Sequence, residues 1–292
     1  MRLSLHTSPD PAIRAQLFAL LDRYNDAATG RTEPARHLTI LLRDATGAIE
    51  GGLVGISYYD WLIVEMLFVP PGLRGHGVGT RLMHAAEAVA LQRGCRGVWL
   101  DTASPAAEAF YHRLGYHIFA TLADQPRGHV RWWMARPLKQ GVRQDGALAG
   151  LEVHEARHAE GAAMIGAALG AEADACMGAD PLRATLAIVA ADDQGRLQGG
   201  LWMMVRRGWL FLDLFVIAPA TRRSGTGKRI LAMAEDQARA LGCTGVWLDS
   251  FDFQAPPFYE LHGYRRFGAL ADYPAPHGRV WLNKRFQDGG EA

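Results

Sequence analysis

The chain has 292 residues, 49% hydrophobic and 21% charged, with a formal net charge of +1. That length is long for one core and comfortable for two compact domains. The near-zero charge excludes a nucleic-acid binder that works by bulk electrostatics, and three widely spaced cysteines, Cys95, Cys176 and Cys243, form neither a disulfide framework nor a metal set. In chain order, Pro11 to Asn25 carries Ile13, Leu17, Leu20 and Leu21 at the spacing of one helix face. His37 to Arg43 is a β-type run closed by the turn Asp44-Ala45-Thr46-Gly47, and Gly51 to Ser57 is its hairpin partner. Trp61 to Val69 is a longer apolar strand interrupted by Glu65. A glycine-bearing loop, Arg74 to Gly79, opens a helix face of Val78, Leu82, Ala86, Val89 and Ala90 that Gly94 ends. Val98 to Leu100 reads as a short buried strand, and Ala106 to Leu114 as a second helix stopped by Gly115. His117 to Ala120 and Arg131 to Met134 are the last strands of a mixed α/β unit.

The unit then recurs. The loop Arg222-Arg223-Ser224-Gly225-Thr226-Gly227 lies 222 − 74 = 148 residues after its counterpart. At that offset Gly52-Leu53 meets Gly200-Leu201, Trp61 meets Trp209, and Val98-Trp99-Leu100-Asp101 meets Val246-Trp247-Leu248-Asp249. Leu186 to Ala191, Leu197 to Val205 and Trp209 to Ile217 repeat the strands. The period is too long for a solenoid, so each copy is expected to be a domain, 1–140 and 149–292, joined by a polar linker from Lys139 to Gly146. No signal-peptide pattern and no uninterrupted apolar span is present, so a cytoplasmic location is expected.

The repeated loop suits an anion, because glycines let main-chain N–H groups approach closely and a helix N-terminus adds partial positive charge. Three phosphate-loop patterns compete. A Walker A loop needs Gly-x-x-x-x-Gly-Lys-Ser/Thr, but Arg229 follows Gly227-Lys228 and Arg222 stands in place of the first glycine. A dinucleotide fingerprint needs a third glycine where Thr80 stands, although Asp101 and Asp249 do end the following strand. What fits is Arg-x-x-Gly-x-Gly directly after a strand. Together with the helix ending in Gly-Cys, the strand ending in Leu-Asp, and Phe-Tyr-x-x-x-Gly-Tyr at 110–116 and 258–264, it resembles the GNAT superfamily of N-acyltransferases over nearly all of both halves.

The resemblance implies two tandem acyl-CoA N-acyltransferase domains, each a mixed sheet flanked by helices. It implies acetyl transfer from acetyl-CoA to a primary amine of a small molecule by direct attack. No metal, nucleic acid or membrane is implied, and the protein is expected as a monomer or homodimer. A non-catalytic acyl-CoA-binding regulator and a protein-lysine acetyltransferase stay open. The cofactor residues carried over are Phe68, Val69, Arg74, Gly75, His76, Gly77, Val78, Gly79 and Thr80. Their copies are Val216, Ile217, Arg222, Arg223, Ser224, Gly225, Thr226, Gly227 and Lys228, with Arg223 and Lys228 making the second loop more basic. Tyr111 and Tyr259 match the tyrosine that many members use as general acid toward the departing thiolate; the alternative is a core aromatic. Glu65 and Asp213 interrupt apolar strands, where a lone carboxylate is costly, so each either takes the amine's proton or pairs with an arginine. Asp101 and Asp249 are expected to cap the next turn. Tyr24-Asn25-Asp26 is replaced by Glu172-Ala173-Asp174 in the second copy, so the two acceptor pockets are expected to differ.

Overall fold

The computed structural model describes residues 1–139 and 151–286, so the linker expected at 139–146 and the tail from Gln287 fall, except for Lys139, outside the described residues. The first repeat runs β1 (Arg2–His6), α1 (Pro11–Thr29), β2 (Arg36–Arg43), β3 (Ile49–Tyr58), β4 (Trp61–Phe68), α2 (Val78–Gln92), β5 (Gly97–Thr102), α3 (Pro105–Arg113), β6 (His117–Ala123) and β7 (Val130–Pro137). The second runs β8 (Glu152–His154), α4 (Ala159–Met177), β9 (Ala184–Ala191), β10 (Leu197–Arg206), β11 (Trp209–Ile217), α5 (Thr226–Ala240), β12 (Gly245–Phe251), α6 (Pro256–Leu261), β13 (Arg265–Leu270) and β14 (Arg279–Arg285). Local signals explain the ends. Asp10 caps α1 by accepting the Ala12 N–H at 2.8 Å, with proline at the first helical position and Gly30 left-handed at the C-terminus.

All the strands form one sheet in the order β1-β9-β10-β11-β12-β14-β13-β6-β7-β5-β4-β3-β2-β8. That order is a palindrome under the repeat, so a pseudo-two-fold axis passes between β13 and β6. The pairing there is Gly268 opposite Ala120, which are equivalent positions in the two copies. Around the axis lies an aromatic core containing Trp61, Trp99, Trp133, Trp209, Tyr273 and Trp281. Two further cores lie under α2 and α5, where Leu82, Met83 and Ala86, or Ile230, Leu231 and Ala234, are fully buried or nearly so against the sheet.

The folded lobes are not the sequence repeats. β1 pairs antiparallel with β9, from Arg2 opposite Ala191 to His6 opposite Ala187, and α1 lies on β10 and β11. Reciprocally, β8 pairs with β2 and α4 lies on β3 and β4. The expected segments 1–140 and 149–292 therefore mark the duplication, while each lobe takes its first strand and helix from the other copy. Each exchanged helix docks around one fully buried aliphatic side chain. Leu17 is fully buried with Ala187, Trp202, Leu214 and Val216, and Ile165 with Leu41, Val54 and Ala162. The aligned pair Gly200 and Gly52 allows this approach, since a Cβ at either would sit 3.2 Å from Leu17 or Ile165. We call the lobe built on β2–β7 the first lobe and that built on β9–β14 the second.

Candidate functional site

In each lobe two parallel strands part company. β11 and β12 pair only from Trp209 opposite Gly245 to Phe211 opposite Trp247, although both strands run on. β4 and β5 pair only from Trp61 opposite Gly97 to Val64 opposite Leu100. A β-bulge sharpens each wedge. The register of β3 on β4 passes from Met66 to Val64, and that of β10 on β11 from Leu214 to Leu212. Glu65 and Asp213 are thus the residues left out of the ladder, which re-aims them and bends the strand before pairing resumes.

The glycine loop crosses the open end of the wedge. Gly77 and Gly225 adopt left-handed φ values of 77° and 80° immediately before α2 and α5, whose first N–H groups have no intrahelical acceptor. Space around Gly75, Gly77 and Gly225 is open to a Cβ, so main chain faces solvent there. Gly79 and Gly227 instead pack against Phe110 and Phe258 of the Phe-Tyr segments, which fastens loop to tyrosine helix. The leading arginines tie the loop back to its strand: Arg74 Nε donates to the Val69 oxygen at 2.8 Å and Arg222 Nε to the Ile217 oxygen at 3.0 Å. Arg223 holds φ at 61° where the first copy has glycine, at a cost of about 1 kcal/mol.

In the second lobe the wedge, loop and tyrosine enclose a cavity of about 570 Å³. Its polar end is lined by Arg222, Arg223, Gly225, Gly227 and Lys228, and its apolar wall by Phe215, Val216, Ile217 and Phe258. Tyr259 and Ser250 line it too, and α1 of the first repeat adds Leu21 and Tyr24.

These elements have a family match. The model of the Acetyltransferase (GNAT) family matches residues 5–116 and again residues 153–264. The chain belongs to the GNAT family of acetyltransferases. It is 36% identical over 127 residues to the acetyltransferase Atu2258 of Agrobacterium fabrum, covering 44% of this chain and 89% of that protein. Blasticidin-S acetyltransferase of Streptomyces morookaense is 41% identical over 99 residues, 34% of this chain and 72% of that protein. A solved acetyltransferase from Bacillus cereus aligns at 27% identity and TM-score 0.41, covering 46% of this chain and 97% of its own. Acetyl-CoA is the cosubstrate of this fold. The open glycine loop, the helix N-terminus and the basic rim in the second lobe fit its phosphates, and the apolar wedge suits its acyl arm.

The two tyrosines of the Phe-Tyr segments are buried. Tyr111 and Tyr259 are each 7% exposed and stand in aromatic rows with Phe110 and Tyr116, or Phe258 and Tyr264. Burial pushes both hydroxyls well above the ordinary phenol range, so both stay protonated. The two carboxylates pair with arginines from the exchanged segments. Arg14 of α1 binds Asp213 through Nε at 3.0 Å and Nη2 at 2.9 Å, and Arg157 binds Glu65 at 3.0 Å. Burial still raises the Asp213 carboxyl, with Arg14 opposing and Asp249 adding to the shift.

Asp101 and Asp249 do not cap the next turn. Each pairs instead with an arginine on the neighbouring antiparallel strand, Arg131 or Arg279, and Ser104 caps α3. Arg279 also lies within reach of the rings of Phe251 and Tyr273, at 4.8 and 5.3 Å, so its charge stays inside the aromatic core. Sequence reasoning missed Arg14 and Arg157, which sit at non-equivalent positions of the repeat. It also missed the fully buried Glu87, held by Arg136 at 2.8 Å and by the Tyr116 hydroxyl at 3.0 Å, with Glu235, Lys284 and Tyr264 as copies. The alignment of Glu87 with Glu235 on otherwise apolar helix faces was the available signal.

Glu152, His154 and His158 bring ligand atoms within 4.8 Å of one another. Both Glu152 oxygens face Arg43, and its carboxyl is lowered to about 2 by that hydrogen bond first. His158 Nδ1 accepts the Gly161 N–H at 3.1 Å, which puts the ring proton on Nε2. These bonds fasten β8 to β2 and cap α4. The described residues contain no helix long and apolar enough to cross a membrane.

Proposed function

We infer that the protein is an N-acetyltransferase that moves an acetyl group from acetyl-CoA to a primary amine of a small molecule by direct attack. The observation that carries this is the second-lobe cavity, in which a basic glycine loop, an apolar wedge and a neutral tyrosine hydroxyl line one space. The similarity to an enzyme named for acetylating blasticidin S supports the small-molecule class.

In this reading a glycine loop, 222–228 or its copy 74–80, holds phosphate through main-chain amides, and Val216-Ile217 or Phe68-Val69 borders the acyl arm. The bulges leave main-chain N–H groups outside the ladder, donors suited to the acetyl carbonyl. The amine nitrogen forms the new C–N bond, the C–S bond breaks, and the electron pair leaves on sulfur. A thiolate whose parent thiol has a pKa of about 8.5 is a fair leaving group, so one positioned O–H, that of Tyr259 or Tyr111, suffices as its acid or hydrogen-bond donor. Asp213 or Glu65 accepts the ammonium proton through water, and Arg14 or Arg157 holds the carboxylate in place.

Thiol release from acetyl-CoA over a panel of amines tests the activity, with Tyr111→Phe, Tyr259→Phe and the double variant. A fall of roughly ten- to a hundredfold in kcat in at least one single variant is expected. Full turnover in the double variant would remove the tyrosines from the mechanism.

A further inference from the structure

The two loops differ in what the exchanged helices bring to them. Tyr24 of α1 and Glu172 of α4 are equivalent positions, and each reaches the leading arginine of the opposite copy's loop. Glu172 forms an ion pair with Arg74. Tyr24 lies under Arg222, the guanidinium carbon 4.6 Å from the ring centroid, and its hydroxyl donates to the Phe253 oxygen at 3.0 Å. An anion approaching the first loop therefore meets a carboxylate already on its arginine. At the second loop it meets an arginine that touches a ring face and the Ile217 oxygen and, among the described residues, pairs with no carboxylate. Loop composition adds to the contrast, because Arg223 and Lys228 stand where the first copy has Gly75 and Thr80.

The segment leading to Tyr259 is also held from α1. Asn25 is 4% exposed and its Oδ1 accepts Gln254 Nε2–H at 2.8 Å. Gln254 Oε1 in turn accepts the Phe251 N–H at 3.0 Å and the Ser250 hydroxyl at 3.1 Å. The equivalent positions in the other lobe are Ala173 and Ala106, which can make none of these bonds. Gln254, Ser250 and Tyr24 all line the cavity.

We propose that each chain binds one coenzyme A, in the second lobe, at a site that the first repeat completes through Tyr24 and Asn25, while Glu172 closes the equivalent loop of the first lobe. Tyr24 orients Arg222 and walls the cavity, and Asn25 is a positioning residue for the segment before Tyr259. This rests on the reading that the chain uses acetyl-CoA.

The test is calorimetric titration of the intact chain with coenzyme A. One molecule per chain is expected. Tyr24→Leu, which keeps apolar volume and removes the ring, should weaken binding about tenfold, and Tyr24→Phe should stay within about twofold of wild type. Glu172→Gln should add a second, weaker binding event. Asn25→Ala should lower kcat with little change in coenzyme A affinity, a split that simple loss of stability would not produce. Two molecules per wild-type chain, or one whose affinity ignores Tyr24→Leu, would overturn the proposal while leaving acetyl-CoA as the cosubstrate. An unchanged stoichiometry in Glu172→Gln would overturn the closed first loop. Absence of binding in wild type would overturn this proposal and the acetyl-CoA reading together.

Discussion

The indole N–H of Trp61 donates to the main-chain oxygen of Asp272 at 2.9 Å, across the join between the lobes. Trp209 returns the bond to Asp124 at 2.7 Å, one repeat further on. The join is thus isologous, with the same patch used twice, as in a two-fold dimer. It is also largely aromatic and buried, so the lobes meet through a core and not through a hinge.

The axis itself gives the sharpest stability test. A Cβ on Gly268 would lie 2.1 Å from the Cβ of Ala120, the residue opposite it. Gly268→Ala should destabilise the chain by about 2 kcal/mol, and adding Ala120→Gly should restore most of that loss. Urea unfolding of the single and double variants checks it, with a coupling energy near zero as the adverse result.

Arg136→Met should be among the most damaging single changes. It leaves the Glu87 carboxylate buried without its cation, at a cost of about 3 kcal/mol. Lys284→Met in the other lobe should cost less, because Arg239 also reaches Glu235, at 3.4 Å. Thermal melts of the two variants side by side measure the difference, and equal losses would contradict it.

Asp213 should give activity and stability opposite pH trends. Its carboxyl is raised in the fold, so its contribution to stability is full below the ordinary carboxylate pKa and fades as pH rises through the raised value. A base must be ionised, so kcat/KM should rise over that same interval. Asp213→Asn should flatten both curves, as read from melting temperatures and initial rates between about pH 4 and 7.

Arg223 should show stability set against function. Its left-handed φ of 61° is a conformation glycine adopts freely, so Arg223→Gly should raise the unfolding free energy by up to about 1 kcal/mol. The same change removes a cation from the cavity rim and should weaken coenzyme A binding several-fold. Calorimetry and a denaturant titration on one sample report both quantities.

Much of each unit is legible because its signals are local. The helix faces at Leu17 and Leu82, the turn at Asp44 to Gly47 and the loop before Val78 depend on residues within a few positions, and a duplication prints each signal twice. Strand exchange is not local. The repeat says that residues 4–6 and 152–154 are alike, and likeness cannot tell which of two similar sheet edges each will join. The arginine partners were hidden for the same reason. Arg14 aligns with Ala162 and Arg157 with Pro9, so the ion pairs on Asp213 and Glu65 leave no trace in the period. Asp101 and Asp249 read as caps because each ends a strand, whereas their partners come from a neighbouring strand 30 residues away in sequence.

The exchange of β1–α1 and β8–α4 has a consequence for how the protein can come apart. Detaching the first thirty or so residues strips a sheet edge and a helix from the lobe that holds Tyr259, while the lobe built from the rest of their own repeat keeps β8 and α4. Neither lobe can melt without unseating a part that the other owns. Heat should therefore produce one sharp loss of structure for the whole chain, and a scission at the repeat boundary should yield two fragments that are each incomplete and that refold only as a mixture.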